Sequence, residues 1–352
     1  MPSTLESSFA VLGQEVPLGL VDKALKELWG ADNAMTRASL LNFAIYSEDP
    51  DSLNANTKLL EELTREHACR ALLILALPKA DKPQARAWIT AHCQLHDGHK
   101  SVCSEQLSFL LEGGGANQLR NIVFAHLDSD LPLALWWQGE FSANFDERLY
   151  SVVDVLFMDS ASWKMPAVQF EKLDVAQTGK SSRFRAYDLS WLRSHFFRTA
   201  LATCFHDQPA LAELSQLHRI EITHSKGHRV TALLIAAWIG VRLKCHLDAG
   251  LSGLRFTLPE GNVSEIAIVE GEGDDPLQSI VLQSDLATFR VSRDCGAAYI
   301  CTHVELNGHV IEEMLPADLP DDAALIADQL SRLGGQSLYI QMVPMLREML
   351  QA

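Results

Sequence analysis

The sequence predicts an α/β protein in two parts, an N-terminal mixed-sheet unit and a C-terminal unit with antiparallel strands. Helical and strand-like apolar periodicities alternate through the first half of the chain. Two strand-like segments in that half are joined by a short polar turn, so a hairpin interrupts what would otherwise be a parallel sheet. Beyond Leu254, short strands follow one another across turns rich in Gly, Asp and Pro. A chain of 352 residues also exceeds what one hydrophobic core ordinarily organises. The expected division is an α/β domain over 1–160, a helical connection over 161–215 and a second α/β domain over 216–352.

The elements follow from local pattern. Leu18, Val21, Leu25 and Leu28 recur at helical spacing within Pro17–Trp29. Leu40–Tyr46 reads as a buried strand, Leu53–His67 as a helix, and Arg70–Leu77 as a strand stopped by Pro78. Ala87–Leu95 and Ser101–Leu111 flank His96-Asp97-Gly98-His99-Lys100 and form the hairpin. Gly113-Gly114-Gly115 then precedes a helix expected over Asn117–Leu127, followed by strands at Leu133–Gln138 and Val152–Met158. The connection leads into one long helix, Ser190–Phe205. The second part opens with a strand at Leu217–Thr223, an apolar helix at Arg229–Val241 and a strand at Arg242–Leu247. Several short strands lie between Leu254 and Glu305, and two helices, Asp321–Leu333 and Leu338–Leu350, close the chain.

Composition narrows the function. A net charge of −16 without a Lys/Arg cluster argues against nucleic acid, whose phosphates demand clustered cations. The longest apolar run, Val230–Val241, is too short to cross a bilayer, and the first residues lack the basic start and apolar run of a signal peptide. Seven cysteines without regular spacing fit a reducing, cytoplasmic setting. Cys93 and Cys103 fall on the two hairpin strands, where they either oppose each other within bridging range or remain buried thiols; Cys295 and Cys301 lie six apart.

No catalytic signature stands out. Gly250-Leu251-Ser252-Gly253 lacks the glycine spacing of a nucleophile elbow, and Gly113–Gly115 does not fit a dinucleotide-binding fingerprint, so it reads as a hinge. His224 and His228 are spaced like two metal ligands on a helical turn, yet no Cys or carboxylate nearby completes a set, so no metal or cofactor is expected. Ser104-Glu105-Gln106 is a polar interruption in an apolar strand, either a solvent-facing edge or part of a polar site. Trp136 and Trp137 are adjacent on one strand, so their indoles point to opposite faces and both faces must receive a large apolar group. Arg193 and Arg198 lie near aromatic residues on the long helix, suited either to structural ion pairs or to partner contacts. These features favour a binding protein over an enzyme, with a sugar-phosphate sensor or phosphosugar enzyme on an α/β scaffold as the alternative.

Six segments in order resemble the OpcA family of glucose-6-phosphate dehydrogenase assembly proteins. They are Leu28-Trp29, Asn42-Phe43-Ala44-Ile45-Tyr46, Cys103-Ser104-Glu105-Gln106, Asp130-Leu131-Pro132 with Leu135-Trp136-Trp137-Gln138-Gly139, Asp188-Leu189-Ser190-Trp191-Leu192-Arg193, and the run from Ala232 to Leu243. Two departures are His67-Ala68-Cys69-Arg70-Ala71, where the family has a Pro-Ser-Arg-like entry, and Phe197 before Arg198, where it tends to have Trp. The resemblance implies a non-catalytic activator that binds glucose-6-phosphate dehydrogenase. Interface hot spots favour aromatic and Arg side chains, which makes Trp136, Trp137, Arg193 and Arg198 the expected contacts.

Overall fold

The computed structural model describes all residues except 1–8, 32–38, 97–98, 180–183, 251–252, 295, 319–320 and 333–336. The first half of the chain runs β1 (Gln14–Val16), α1 (Val21–Ala31), β2 (Leu41–Ser47), α2 (Leu53–Glu66), β3 (Cys69–Leu77), β4 (Gln84–His96), β5 (His99–Glu112), β6 (Leu133–Trp137), β7 (Val155–Met158), α3 (Pro166–Thr178) and β8 (Arg185–Asp188). Next come α4 (Leu189–Arg193), α5 (His195–Thr203), α6 (Gln208–Glu213), β9 (Arg219–His224), α7 (Arg229–Leu243), β10 (His246–Gly250), β11 (Gly253–Thr257) and β12 (Val263–Glu270). The chain ends with β13 (Leu277–Gln283), β14 (Ala287–Ser292), β15 (Tyr299–Leu306), β16 (His309–Pro316), α8 (Asp322–Ser331) and α9 (Ser337–Gln351). No helix among the described residues is long and apolar enough to cross a membrane.

Two units share these elements. Unit 1 comprises Met1–Met158, Leu173–Tyr187 and Asp322–Leu333; unit 2 comprises Asp159–Lys172, Asp188–Asp321 and Gly334–Ala352. The stretch 161–215, expected as a connection, is therefore divided between them, and α8 returns to unit 1, where it packs on α2.

Unit 1 is built on an eight-stranded mixed sheet in the order β1-β4-β5-β3-β2-β6-β7-β8. β5, β3, β2, β6 and β7 are mutually parallel, while the expected hairpin pairs β4 with β5 antiparallel and β1 adds antiparallel to β4. β5 through Leu111, all of β6 and all of β7 are buried at every described position, and β2 and β3 nearly so. The continuous apolar runs of β3, β6 and β7 are the signature of strands covered on both faces.

Unit 2 has a second eight-stranded sheet, β10-β11-β12-β9-β13-β14-β15-β16. Every neighbouring pair is antiparallel except β12 with β9. Burial alternates along β9, where Ile220, Ile222 and His224 are buried and the residues between them are not. α7 packs on β9 and β12, α5 on β13, β14 and β15, and α9 on α7 and β10. Gly240 makes the α7 packing possible, since a Cβ there would lie 2.5 Å from the Phe256 ring and 2.6 Å from Met345 Sδ.

Four expectations change. The helix over Asn117–Leu127 is instead a chain of short turns: a 3₁₀ segment at Gly113–Gln118, one α-turn at Leu119–Ile122 and another 3₁₀ turn at Phe124–His126. Its start is pinned where Gly113, at φ +51°, approaches the Ala80 carbonyl too closely for a side chain, and its end delivers the His126 carbonyl to Arg70 at 2.7 Å. The helix Ser190–Phe205 is broken at Ser194, whose hydroxyl donates back to the Trp191 carbonyl at 2.7 Å and competes with the helical ladder. The strand over Arg242–Leu247 starts later, because α7 continues to Leu243 and ends on Lys244 in the left-handed region at φ 57°. β16 has no counterpart in the expected elements.

Candidate functional site

In unit 1 the residues singled out from sequence join strands together. Asn42, at the start of β2, donates its amide to the carbonyls of Asp128 (2.9 Å) and Leu131 (3.0 Å), and its Oδ1 accepts from the Asp128 N–H (2.9 Å). The loop before β6 is thereby tied to β2. Trp137 is fully buried, stacks on Tyr46 at 3.9 Å between ring centroids, and donates its indole N–H to the Glu140 carbonyl at 3.1 Å. Phe141 and Phe145 close around it at 6.0 and 5.4 Å. Gln138 and Asn56 exchange amide hydrogen bonds of 2.7 and 2.8 Å. Trp136, on the other face, is also buried, and its indole N–H has no partner among the described atoms. Both indoles are therefore core groups, each filling one side of a doubly covered sheet.

Ser104, Glu105 and Gln106 are buried as well, which removes the solvent-facing edge from the two readings of this segment. Glu105 pairs with the Arg70 guanidinium, which also donates to the His126 carbonyl. Gln106 hydrogen-bonds with His92 Nε2 at 2.8 Å and donates to Ser108 Oγ at 2.9 Å. These bonds satisfy polar atoms that would otherwise cost about 1–3 kcal/mol each when left unpaired in the interior. Arg70 belongs to the segment where the chain departs from the family pattern.

Unit 2 holds the second cluster, built around Asp188-Leu189-Ser190-Trp191-Leu192-Arg193. Asp188 caps α4: its Oδ1 accepts from the Ser190 N–H (3.0 Å) and from the Ser160 N–H (3.1 Å), and its Oδ2 accepts from Tyr339 Oη (3.0 Å). Complete burial drives the Asp188 pKa up to about 6; the nearby Asp159 carboxylate pushes the same way, and the Ser160 and Ser190 hydrogen bonds oppose them. Burial also holds the Tyr339 phenol well above its usual range, with Asp188 reinforcing the effect. Asp159 accepts from Ser190 Oγ (2.9 Å) and from Arg193 Nη1 (2.8 Å).

Arg198 lies 3.4 Å from the centroid of the Trp191 ring, donates Nε to Ser194 Oγ (3.0 Å) and Nη2 to the Trp191 carbonyl (3.2 Å). Burial lowers its pKa to about 9, so the guanidinium remains charged near neutrality. The two arginines thus spend their donors inside unit 2, Arg193 on a carboxylate and Arg198 on an indole face and a helix end. Asp159 and Tyr339 carry no signal of their own in the sequence. Asp188 has one, as an Asp directly before a helical segment.

The two hydroxyls that meet a carboxylate here, Ser190 Oγ on Asp159 and Tyr339 Oη on Asp188, are both buried, so the arrangement orients and seals. Among the described residues no group of three or more His, Cys, Asp or Glu side chains could hold a metal ion. His224 ends a strand and His228 precedes α7, so they do not share a helical turn. Cys103 is disulfide-bonded and stands opposite Cys93 in the hairpin register, which corrects the buried-thiol alternative for Cys103; the Cys93 side chain and Cys295 lie outside the described residues. Cys69, Cys204, Cys245 and Cys301 are free thiols.

Residues 60–175 match the family model described as the glucose-6-phosphate dehydrogenase subunit N-terminal domain, and residues 185–343 match the one described as its C-terminal domain. The chain is similar to the OxPP cycle protein OpcA of Nostoc punctiforme, with 20% identity over 81% of this chain and 66% of that protein. It is also similar to the protein of the same name from Synechocystis sp., with 20% identity over 83% and 66% of the two chains. The chain thus spans just under two thirds of the length of these relatives. Among solved structures, a 3-ketoreductase from Actinomadura kijaniata aligns over 88% of this chain and 96% of its own, with a TM-score of 0.49 and 10% identity.

Proposed function

The chain belongs to the OpcA family, and on that premise we propose that it is a non-catalytic assembly factor that binds glucose-6-phosphate dehydrogenase and favours its active state in the oxidative pentose phosphate cycle. The observation that carries this reading is the match of both halves of the chain, in order, to the two domain models. Several of the quoted segments support it from within: Asn42, Glu105, Gln106, Trp137, Asp188 and Arg193 spend their polar groups on hydrogen bonds that hold the scaffold together. An activator of this kind acts by binding the active conformation of its partner more tightly than the inactive one, since equal affinity for both shifts nothing. The cytoplasm, where the dehydrogenase substrate is available, is the matching compartment.

The test is to mix the purified chain with the dehydrogenase from the same organism. Co-elution, together with a higher rate at subsaturating glucose 6-phosphate, is the expected result. The absence of both co-elution and a change in rate would overturn the proposal, as would turnover of a sugar phosphate by the chain alone.

A further inference from the structure

The second sheet ends on β16, and the outer edge of that strand is open. β15 and β16 are joined by Asn307 and Gly308, both at positive φ (51° and 79°), as a two-residue hairpin turn requires. In such a hairpin the flanking pair, Leu306 and His309, exchanges both backbone hydrogen bonds, and the pattern alternates from there. His309, Ile311, Glu313 and Leu315 therefore bond toward β15. The Ala317 N–H keeps the same phase, donating to the Ala298 carbonyl at 3.0 Å. The N–H and C=O groups of Val310, Glu312 and Met314 point the other way, off the edge of the sheet. Pro316 follows them and offers no N–H. Every residue from His309 to Met314 is exposed, which makes this edge a template for another strand.

The side chains of β16 divide between two faces. Val310, Glu312 and Met314 lie on the face left open by the helices, where Glu312 already meets His303 at 2.9 Å. His309, Ile311 and Glu313 lie on the helix side, but the helix layer covers them poorly: α5 packs on β13, β14 and β15, and Ile311 remains 51% exposed. The result is a groove of about 310 Å³ between these three residues and the end of α5 with the start of α6, where Thr203, Cys204 and Asp207 line it. Asp207 spends Oδ1 on the Ala210 N–H at 2.8 Å, and His206, also in the lining, hydrogen-bonds the Thr203 carbonyl at 3.0 Å. Glu313 has no hydrogen bond or ion pair among the described residues, and no described Lys or Arg lines the groove.

An antiparallel strand added here bonds to Val310, Glu312 and Met314. Its residues opposite Ile311 and Glu313 then occupy the closer, non-hydrogen-bonded positions, with Cα atoms about 4.5 Å away, and their side chains enter the groove. Opposite charges directly across a ladder stabilise it and like charges destabilise it. The residue opposite Glu313 should therefore be Lys or Arg, and the one opposite Ile311 apolar. A second copy of the chain fits less well. When β16 pairs with β16 so that outward residues meet outward residues, the two registers of fullest overlap set Glu312 against Glu312 or Glu313 against Glu313. A net charge of −16 opposes that encounter further. From the open backbone edge, the groove beside it and the unpaired Glu313, we infer that β16 is a docking edge for an extended segment of a partner protein, which adds to the sheet and sets a Lys or Arg against Glu313. The inference does not depend on that partner being the dehydrogenase.

The experiment reads hydrogen exchange at single backbone amides of the full chain, with two end-capped synthetic peptides as probes. One is Thr-Val-Thr-Lys-Thr-Val-Thr, which puts Val and Lys on one face; the other has Glu in place of Lys. In the free chain the amides of Val310, Glu312 and Met314 should exchange fast, and those of Ile311, Glu313 and Leu315 slowly. The Lys peptide at about ten times its Kd should slow the first three about tenfold, and the Glu peptide should not. Glu313→Lys should reverse that preference. If the variant fails to fold, the two peptides on the unaltered chain decide the matter. No slowing at millimolar Lys peptide overturns the inference, and so does equal slowing by both peptides. Slowing of the same three amides as the chain alone is concentrated also overturns it, assigning the edge to a second copy.

Discussion

The two sheets solve the same problem in opposite ways. The central strands of the first are buried on both faces, and the polar side chains of β5 are answered from within: Glu105 by Arg70, Gln106 by His92 and Ser108. The second sheet buries one face under helices and leaves on the other a mixture of apolar, polar and charged residues, among them the ion pairs Arg219–Glu221 and His303–Glu312. The lesson is where tolerance to substitution should lie. In the first sheet a polar side chain holds the interior together, and in the second the same kind of residue is free to specify an encounter.

The largest effect is expected in the first sheet. Glu105→Ala leaves the Arg70 guanidinium, whose side chain is 11% exposed, without its carboxylate. Breaking a buried pair in this way costs about 3–5 kcal/mol, to be read from denaturant unfolding. A cost below about 1 kcal/mol, the range of exposed pairs, would remove the contrast between the sheets.

The next effect belongs to the buried cap of unit 2. Asp188 has its pKa raised from the ordinary 3.8 to about 6, so between those values the folded chain holds a proton that the unfolded chain has released. Stability from this group is therefore present at low pH and lost as pH rises through about 6, with a total change of about 3 kcal/mol. Asp188→Asn keeps an acceptor for the Ser160 and Ser190 N–H groups and should flatten that slope. An unchanged pH profile of unfolding would show that Asp188 does not titrate as its burial demands.

A smaller loss is expected where the covered face of the second sheet meets its helices. Gly240→Ala drives a methyl group into Phe256 and Met345, and overpacking of this kind costs about 1–3 kcal/mol in thermal or denaturant unfolding. Smallest of all is the open face. Glu305→Arg should change the stability of the folded chain by no more than about 0.5 kcal/mol, as for other exposed positions. A larger loss there would mean that the face is part of the fold's own support.

Much of the architecture was legible from local pattern. The hairpin β4–β5 followed from two strand-like segments around one polar turn, and the mixed character of the first sheet followed from the hairpin. The apolar segment from Val230 reads correctly as a buried helix, because its length exceeds what a strand would use. What failed was local continuity. Ser190–Phe205 has the periodicity of one helix, yet Ser194 turns its hydroxyl back on the ladder and splits it. Asn117–Leu127 looks helical until the close approach of Gly113 to Ala80 and the demand of Arg70 for the His126 carbonyl are included.

The candidate residues divide along the same line. That Trp136 and Trp137 fill opposite faces is a consequence of strand geometry alone. That both faces are covered, making the pair core instead of contact surface, depends on what folds over them. Asp188 as a helix cap is visible in six consecutive residues, whereas its approach to Asp159 and to Tyr339, 151 positions further on, is not. By itself the sequence determined the alternation of elements, the hairpin and the family, since each of these is written within a few turns or strands of backbone. Only the tertiary structure decided which polar groups meet and which sheet face stays open. Burial and long-range pairing depend on the whole chain packing at once, and no local window records them.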